Sequence, residues 1–330
     1  MIFVTGGTGF LGSYLLQELV LQEKPVRALR RKKSFPFYLP ANIAEKISWV
    51  EGDILDVTGL MENMNGCDQI IHAAGMVSFD PGDREKLFKI NIEGTANMVN
   101  SAIEMGIADF IHVSSVASLG RNGNAGPVDE ETKWTGNAGQ SNYGISKYYG
   151  EMEVWRGMGE YLRPLIVNPC AQLGYGDWNE TSCALFKTAY KEMQWYPEGT
   201  NGFADVKDTA RAIIALIDGD IRNERFIISA ENKSFRDIMV MMAAGFGKKP
   251  PSRLATPVLS GMAWRLEKIK SAFTKNKPLL TRETARIGRH HSLYKNHKLL
   301  RALPGFRFRS LEDSINEACL QYLKIVQPLN

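Results

Sequence analysis

Short apolar runs and longer amphipathic stretches alternate along the first half of the chain. Residues 1–4, 26–29, 46–50, 69–74, 109–113 and 164–167 form the runs and read as buried strands. Between them, Tyr14, Leu15, Leu16, Leu19 and Val20 recur at helical spacing. Leu87, Ile90, Thr95, Met98, Val99 and Ile103 mark one long amphipathic helix over 85–105, and 142–158 reads as another. Such alternation predicts an α/β chain with a parallel sheet covered by helices on both faces, and ligands at the carboxyl ends of the strands. A loop rich in Gly and Asn spans 120–141. The second half is less regular. It predicts helices over 208–217, 235–245 and 312–325 and a strand over 225–228. After Pro257, the residues Val258, Leu259, Met262, Leu266, Ile269 and Phe273 fall on one helical face.

The first strand runs into Gly6-Gly7-Thr8-Gly9-Phe10-Leu11-Gly12 and then into a helix. Gly6 allows the tight turn, Gly9 lets a pyrophosphate approach the backbone, and Gly12 allows close packing of the helix. The helix start then faces the phosphates with free N–H groups and the positive end of its dipole. Strand, glycine turn and helix in this order predict a Rossmann-type, doubly wound parallel sheet with a dinucleotide site. The expected division is a dinucleotide domain over 1–170 and a smaller, mixed, mainly substrate-binding lobe over 171–330, from which elements can return to the first domain. At the end of the second strand, where an acidic residue would bond a ribose 2′-hydroxyl, the chain has Arg30, followed by Arg31, Lys32, Lys33 and Ser34. A guanidinium can fork onto a 2′-phosphate that a carboxylate would repel, so the expected cofactor is NADP(H) rather than NAD(H).

Composition adds bounds. The chain has 330 residues, 44% hydrophobic, enough for a large core. A net charge of +4 is too mild to argue for nucleic acid. The cysteines, Cys67, Cys170, Cys183 and Cys319, are widely spaced and suggest neither a disulfide framework nor a zinc site. The first strand begins at the start of the sequence and no apolar run is long enough to span a bilayer, so a cytoplasmic protein is expected. His72 and His112 lie in predicted strands and are expected to be satisfied core residues. His290, His291 and His297 lack convincing metal-ligand partners, and no metal is assigned.

Tyr143-Gly144-Ile145-Ser146-Lys147 puts a phenol and an ammonium on one helical face, where the cation is expected to favour the phenolate. Ser115 ends the preceding strand and could bond the same substrate oxygen; its neighbour Ser114 is expected only to end that strand. Taken together, TGGTGFLG at 5–12, Asp53-Ile54, HAAG at 72–75, Asn91, SSVASLG at 114–120 and YGISK at 143–147 resemble the extended short-chain dehydrogenase/reductases of the NAD-dependent epimerase/dehydratase family. The resemblance covers nearly the whole chain. It implies Ser115, Tyr143 and Lys147 as a catalytic triad, with Asn91 supporting Lys147 through a water relay. It also implies Tyr143 and Lys147 against the cofactor, with Lys147 on the nicotinamide ribose. Asp53 and Ile54 would flank the adenine, and Ala73, Ala74, Gly75 and Pro169 would line the cofactor.

Within that family, the dehydratases carry an Asp-Glu pair just after the serine position, where this chain has Val116 and Ala117. Sugar-nucleotide epimerases usually carry an Arg in the stretch matching 201–208, which here contains none. The dihydroflavonol and cinnamoyl-CoA reductase branch is echoed by Val167-Asn168-Pro169, Gly176-Asp177-Trp178 and Tyr196-Pro197-Glu198-Gly199. The expected activity is therefore reduction of a ketone or aldehyde on a small, largely apolar molecule, with tyrosine as proton donor. A nucleotide-sugar epimerase and a non-catalytic dinucleotide sensor or scaffold stay open as alternatives. Met76, Val77, Phe79, Trp178 and Tyr196 are candidates for an apolar substrate wall, or for ordinary core. Over 264–301, Lys and Arg far outnumber the carboxylates Glu267 and Glu283. The helix after Pro257 is expected to pack on the lobe with its basic side solvated. The alternative is a movable pocket wall, or weak peripheral membrane contact through 258–275. The small-molecule carbonyl substrate is the partner expected, with a homodimer open.

Overall fold

A computed structural model describes residues 1–31, 35–120, 126–274 and 281–326. In chain order the strands are β1 (Ile2–Thr5), β2 (Val26–Arg30), β3 (Ser48–Glu51), β4 (Gln69–His72), β5 (Asp109–Val113), β6 (Arg163–Pro169), β7 (Ala171–Leu173), β8 (Trp195–Tyr196), β9 (Thr200–Asp205), β10 (Glu224–Ile228), β11 (Glu231–Ser234) and β12 (Arg253–Leu254). Seven of them form one sheet in the order β3-β2-β1-β4-β5-β6-β10, parallel throughout. The order reverses between β1 and β4, the switch point at which such sheets bind ligands. Two apolar layers cover the sheet. Leu15, Leu16 and Leu19 join Ile213 and Leu216 on one face; Met98, Val99 and Val154 lie on the other. This is the expected doubly wound Rossmann-type architecture.

The late strand β10 does return to this sheet, pairing with β6 from Glu224↔Leu165 to Ile228↔Pro169. The chain leaves β6 at Pro169 and immediately enters a small mixed sheet, β7-β9-β11, which heads the C-terminal lobe. That lobe has its own core of Phe186, Phe203, Ile238, Met242, Ile315 and Tyr322. Two differences from the sequence reading matter. The helix expected over 85–105 is interrupted by a π turn at Lys89–Glu93, between α segments Arg84–Phe88 and Gly94–Glu104. The helix Pro257–Thr274 forms as expected, but Val258, Leu259, Met262 and Leu266 are exposed rather than packed on the lobe. Among the described residues, no helix is long and apolar enough to cross a membrane.

Candidate active site

The glycine loop takes the form its spacing predicts. Gly6 has φ +74°, and a Cβ there would stand 2.4 Å from the Ala73 carbonyl carbon, so the turns after β1 and β4 touch. A Cβ on Gly12 would lie 2.0 Å from the Gly6 carbonyl oxygen; Gly12 is thus required for packing against the turn itself. Ser13 braces the loop by donating to the carbonyls of Gly7 (3.0 Å) and Gly9 (2.8 Å). The first intrahelical bond runs from Ser13 N–H to Gly9 C=O, which leaves the earlier N–H groups of helix Phe10–Leu21 facing outward beside the exposed Gly9. This cradle suits a pyrophosphate. Phe10 turns edge-on to Tyr14 and Tyr38, while Leu11 packs onto the core.

The residues expected around the adenine divide. Arg30 ends β2 with its guanidinium over the rings of Phe35 (4.9 Å) and Trp49 (5.5 Å), and 4.0 Å from a Glu51 carboxylate oxygen. Arg31 is exposed, and Ser34 lies outside the described residues. Asp53 caps its own turn by accepting from Leu55 N–H (3.0 Å), and the side chain of Ile54 is buried against Gly94. Ala73, Ala74 and Gly75 follow β4 directly, Ala74 N–H donating to Thr5 Oγ1 (3.3 Å). Pro169 is buried at the end of β6.

Ser115, Tyr143 and Lys147, the residues expected to react, lie beyond β4 and β5. Helix Asn142–Glu160 starts at Ser141, whose Oγ accepts from Gly144 N–H (2.9 Å), so Tyr143 and Lys147 stand one turn apart near its beginning. The Tyr143 phenol neighbours the Ser115 hydroxyl, which accepts from Ala117 N–H (3.1 Å). Burial pushes the phenol's pKa up, and the neighbouring Ser115 hydroxyl partly opposes it. This differs from the expected lowering by Lys147. The Lys147 ammonium, 5% exposed, donates to the Val113 carbonyl at 2.8 Å. Burial pulls its own pKa down to about 8, with Glu151 acting to raise it.

The π turn carries Asn91 to the same place. Its Oδ1 accepts from Met76 N–H (2.7 Å), and its Nδ2 donates to the Met76 carbonyl (2.9 Å) and to Ser146 Oγ (2.9 Å). Asn91 therefore clamps the strand end to the helix that carries Tyr143 and Lys147. A Cβ on Gly75 would meet Asn91 Oδ1 at 3.3 Å and Lys147 Nζ at 3.8 Å, so these three residues share one corner. Of the apolar wall candidates, Phe79 meets the Tyr143 ring edge-on at 5.7 Å, whereas Trp178 stacks on Tyr322 in the core of the lobe.

Sequence reasoning missed the layer behind Ser115. Glu151, 1% exposed, accepts from Ser114 Oγ (2.7 Å), Ser118 Oγ (2.7 Å) and Asn168 Nδ2 (2.9 Å), and pairs with Arg225 at 3.2 Å. Ser118 and Asn168 also donate to the Ser115 carbonyl, at 2.7 and 3.1 Å. One buried carboxylate thus fixes the backbone that presents the Ser115 hydroxyl, and it also takes the Ser114 hydroxyl. His72, bonded to Thr5 (2.7 Å) and Thr95 (3.1 Å), is the satisfied core residue expected, and burial draws its pKa down to about 3. His112 is not: stacked on His72, both of its ring nitrogens lack a hydrogen-bond partner among the described residues.

The family model for the NAD-dependent epimerase/dehydratase family matches residues 2–229. The chain belongs to this family. The chain is similar to a putative dihydroflavonol 4-reductase of Synechocystis, 29% identical over 96% of this chain and 92% of that one. It is also similar to sterol demethylase protein B of Methylococcus capsulatus, 27% identical over 82% of each. Among solved structures, that of gox2253 superposes with a TM-score of 0.83 at 28% identity, covering 100% of this chain and 99% of that chain. The protein is a nicotinamide-dinucleotide-dependent oxidoreductase of the extended short-chain dehydrogenase/reductase type.

Proposed function

We propose that this oxidoreductase uses NADPH to reduce a ketone or aldehyde group on a small, largely apolar molecule. The observation that carries the reading is the Ser115 hydroxyl beside the Tyr143 phenol, with Lys147 one helical turn further on. A carbonyl oxygen seated against these two hydroxyls accepts from both, which polarises the C=O bond. Bound nicotinamide dinucleotide supplies the hydride. The raised pKa keeps the proton on Tyr143 until charge builds on the substrate oxygen, and the phenol then gives it up. The nearby Lys147 cation favours the phenolate left behind. Phe79, against the Tyr143 ring, supports an apolar substrate body, as do the aromatic and sterol substrates implied by the names of the two relatives.

The test is turnover of a panel of ketones and aldehydes with NADPH, before and after Tyr143→Phe. The substitution is expected to lower turnover by about 100- to 10,000-fold, the usual worth of general acid catalysis, with dinucleotide binding kept. Normal turnover in the variant would assign the proton to another group. Dinucleotide binding with no carbonyl reduced would favour a sensor, and interconversion of a nucleotide sugar without net reduction would favour an epimerase.

A further inference from the structure

We propose that helix Pro257–Thr274 is a peripheral membrane-docking element that lays its outward apolar face on an anionic lipid surface beside the mouth of the active site. Val258, Leu259, Met262 and Leu266 are 72, 38, 54 and 65% exposed. Their spacing confines them to one stripe of the helix, so the apolar side faces solvent and Trp264 lies on the other side, half-buried. A helix that packs for the sake of the fold does the reverse.

The patch continues beyond the helix. The strand β12, three residues upstream, pairs with β8, and together they expose Trp195 (38%) and Leu254 (39%). Arg253 lies over the Trp195 ring at 5.6 Å, an aromatic-and-cation pairing suited to a boundary between water and lipid headgroups.

Charge selects the occupant. Arg253, Arg265, Arg282 and Arg289 are exposed around the patch, and over 253–301 the carboxylates are only Glu267 and Glu283. A second copy meeting this face would set cations against cations, whereas anionic headgroups neutralise them. The helix also lies close to the reacting groups. It packs on helix Arg282–Ile287, whose Glu283 accepts from Asn142 N–H at 3.3 Å, one residue before Tyr143. An apolar molecule dissolved in the lipid would thus be presented next to the site.

The experiment is sedimentation of the full chain with two kinds of vesicle at low salt, phosphatidylcholine alone and phosphatidylcholine with phosphatidylglycerol. Binding is expected only to the anionic vesicles and is expected to weaken as salt rises. Leu266→Asp is expected to lower the partition coefficient about tenfold or more, since a buried leucine side chain is replaced by a charge. The side chain is exposed, so the thermal midpoint should hold and report that the variant is folded. The vesicle readout needs no turnover and is separate from the hydride-transfer reading. Absence of binding to either vesicle would overturn the proposal. So would undiminished binding by Leu266→Asp, which would leave a basic surface and no inserted face. A dimer that Leu266→Asp converts to monomer, without vesicle binding, would assign the face to a second copy instead.

Discussion

Lys147 is held between two opposed influences. Burial drives its proton off and draws the pKa down to about 8, while the Glu151 carboxylate, one turn along the same helix, holds the proton on. On the proposed mechanism the cationic form would stabilise the phenolate that reduction leaves, so the rate of reduction is expected to fall as pH rises through about 8. Glu151→Gln removes the influence that raises the pKa, and the alkaline limb of kcat/KM should move to lower pH. An unmoved limb, with only stability reduced, would make Glu151 a scaffold for Ser115 alone. The same shift has a stability sign. Between about 8 and the ordinary 10.5 the unfolded chain binds the proton that the folded chain has lost, so stability rises with pH across that window. On the proposed reading, Arg30, whose guanidinium lies over the rings of Phe35 and Trp49, would meet the 2′-phosphate that distinguishes the cofactors. NADPH is expected to bind about ten- to a hundredfold more tightly than NADH, the worth of a charge-assisted hydrogen bond, and Arg30→Asp should reverse the order. Titration of both dinucleotides by fluorescence measures it; an unchanged order in the variant would remove Arg30 from cofactor choice.

The helix that carries Tyr143 and Lys147 is placed by how closely it crosses the π turn. A Cβ on Gly150 would stand 2.3 Å from the Asn91 carbonyl oxygen, inside any tolerable contact. Gly150→Ala is therefore expected to cost about 1–3 kcal/mol in urea unfolding, as overpacking does, and to lower turnover by displacing Tyr143 and Lys147 together. A variant with full stability and full turnover would show that the two helices are free to separate. The strands and helices that carry the site were legible because apolar periodicity and the glycine turn act locally. The π turn was not, since Leu87, Ile90, Thr95 and Met98 keep a pattern that one inserted residue hardly disturbs. Glu151 was not legible either: a carboxylate four residues after a lysine reads as a solvated helix pair. Only the fold brings Asn168 and Arg225 to it. The Pro257–Thr274 helix was legible as amphipathic, but periodicity does not say which way an apolar face points.

On the scale of the whole molecule, the N-terminal unit does not end where its sequence motifs end. β10 closes the sheet beyond β6, and Arg225 on that strand neutralises the carboxylate beneath Ser115. A fragment ending at residue 170 keeps the glycine turn, Ser115, Tyr143 and Lys147 yet lacks both. Leaving one member of a buried ion pair alone typically costs about 3–5 kcal/mol, a large share of a domain's stability. Such a fragment is expected to unfold without a cooperative transition and to bind no dinucleotide, measured by urea titration with and without NADPH. A cooperative, cofactor-binding fragment would show that β10 is dispensable. The late arrival of β10 also sets an order on the making of the protein. As the ribosome extrudes the chain amino end first, β6 and Glu151 emerge well before Arg225. Through that interval β6 is an open strand edge, the kind of surface that recruits other growing chains. The serine loop is therefore expected to acquire its final seat only once the returning strand has covered that edge and brought Arg225 to Glu151.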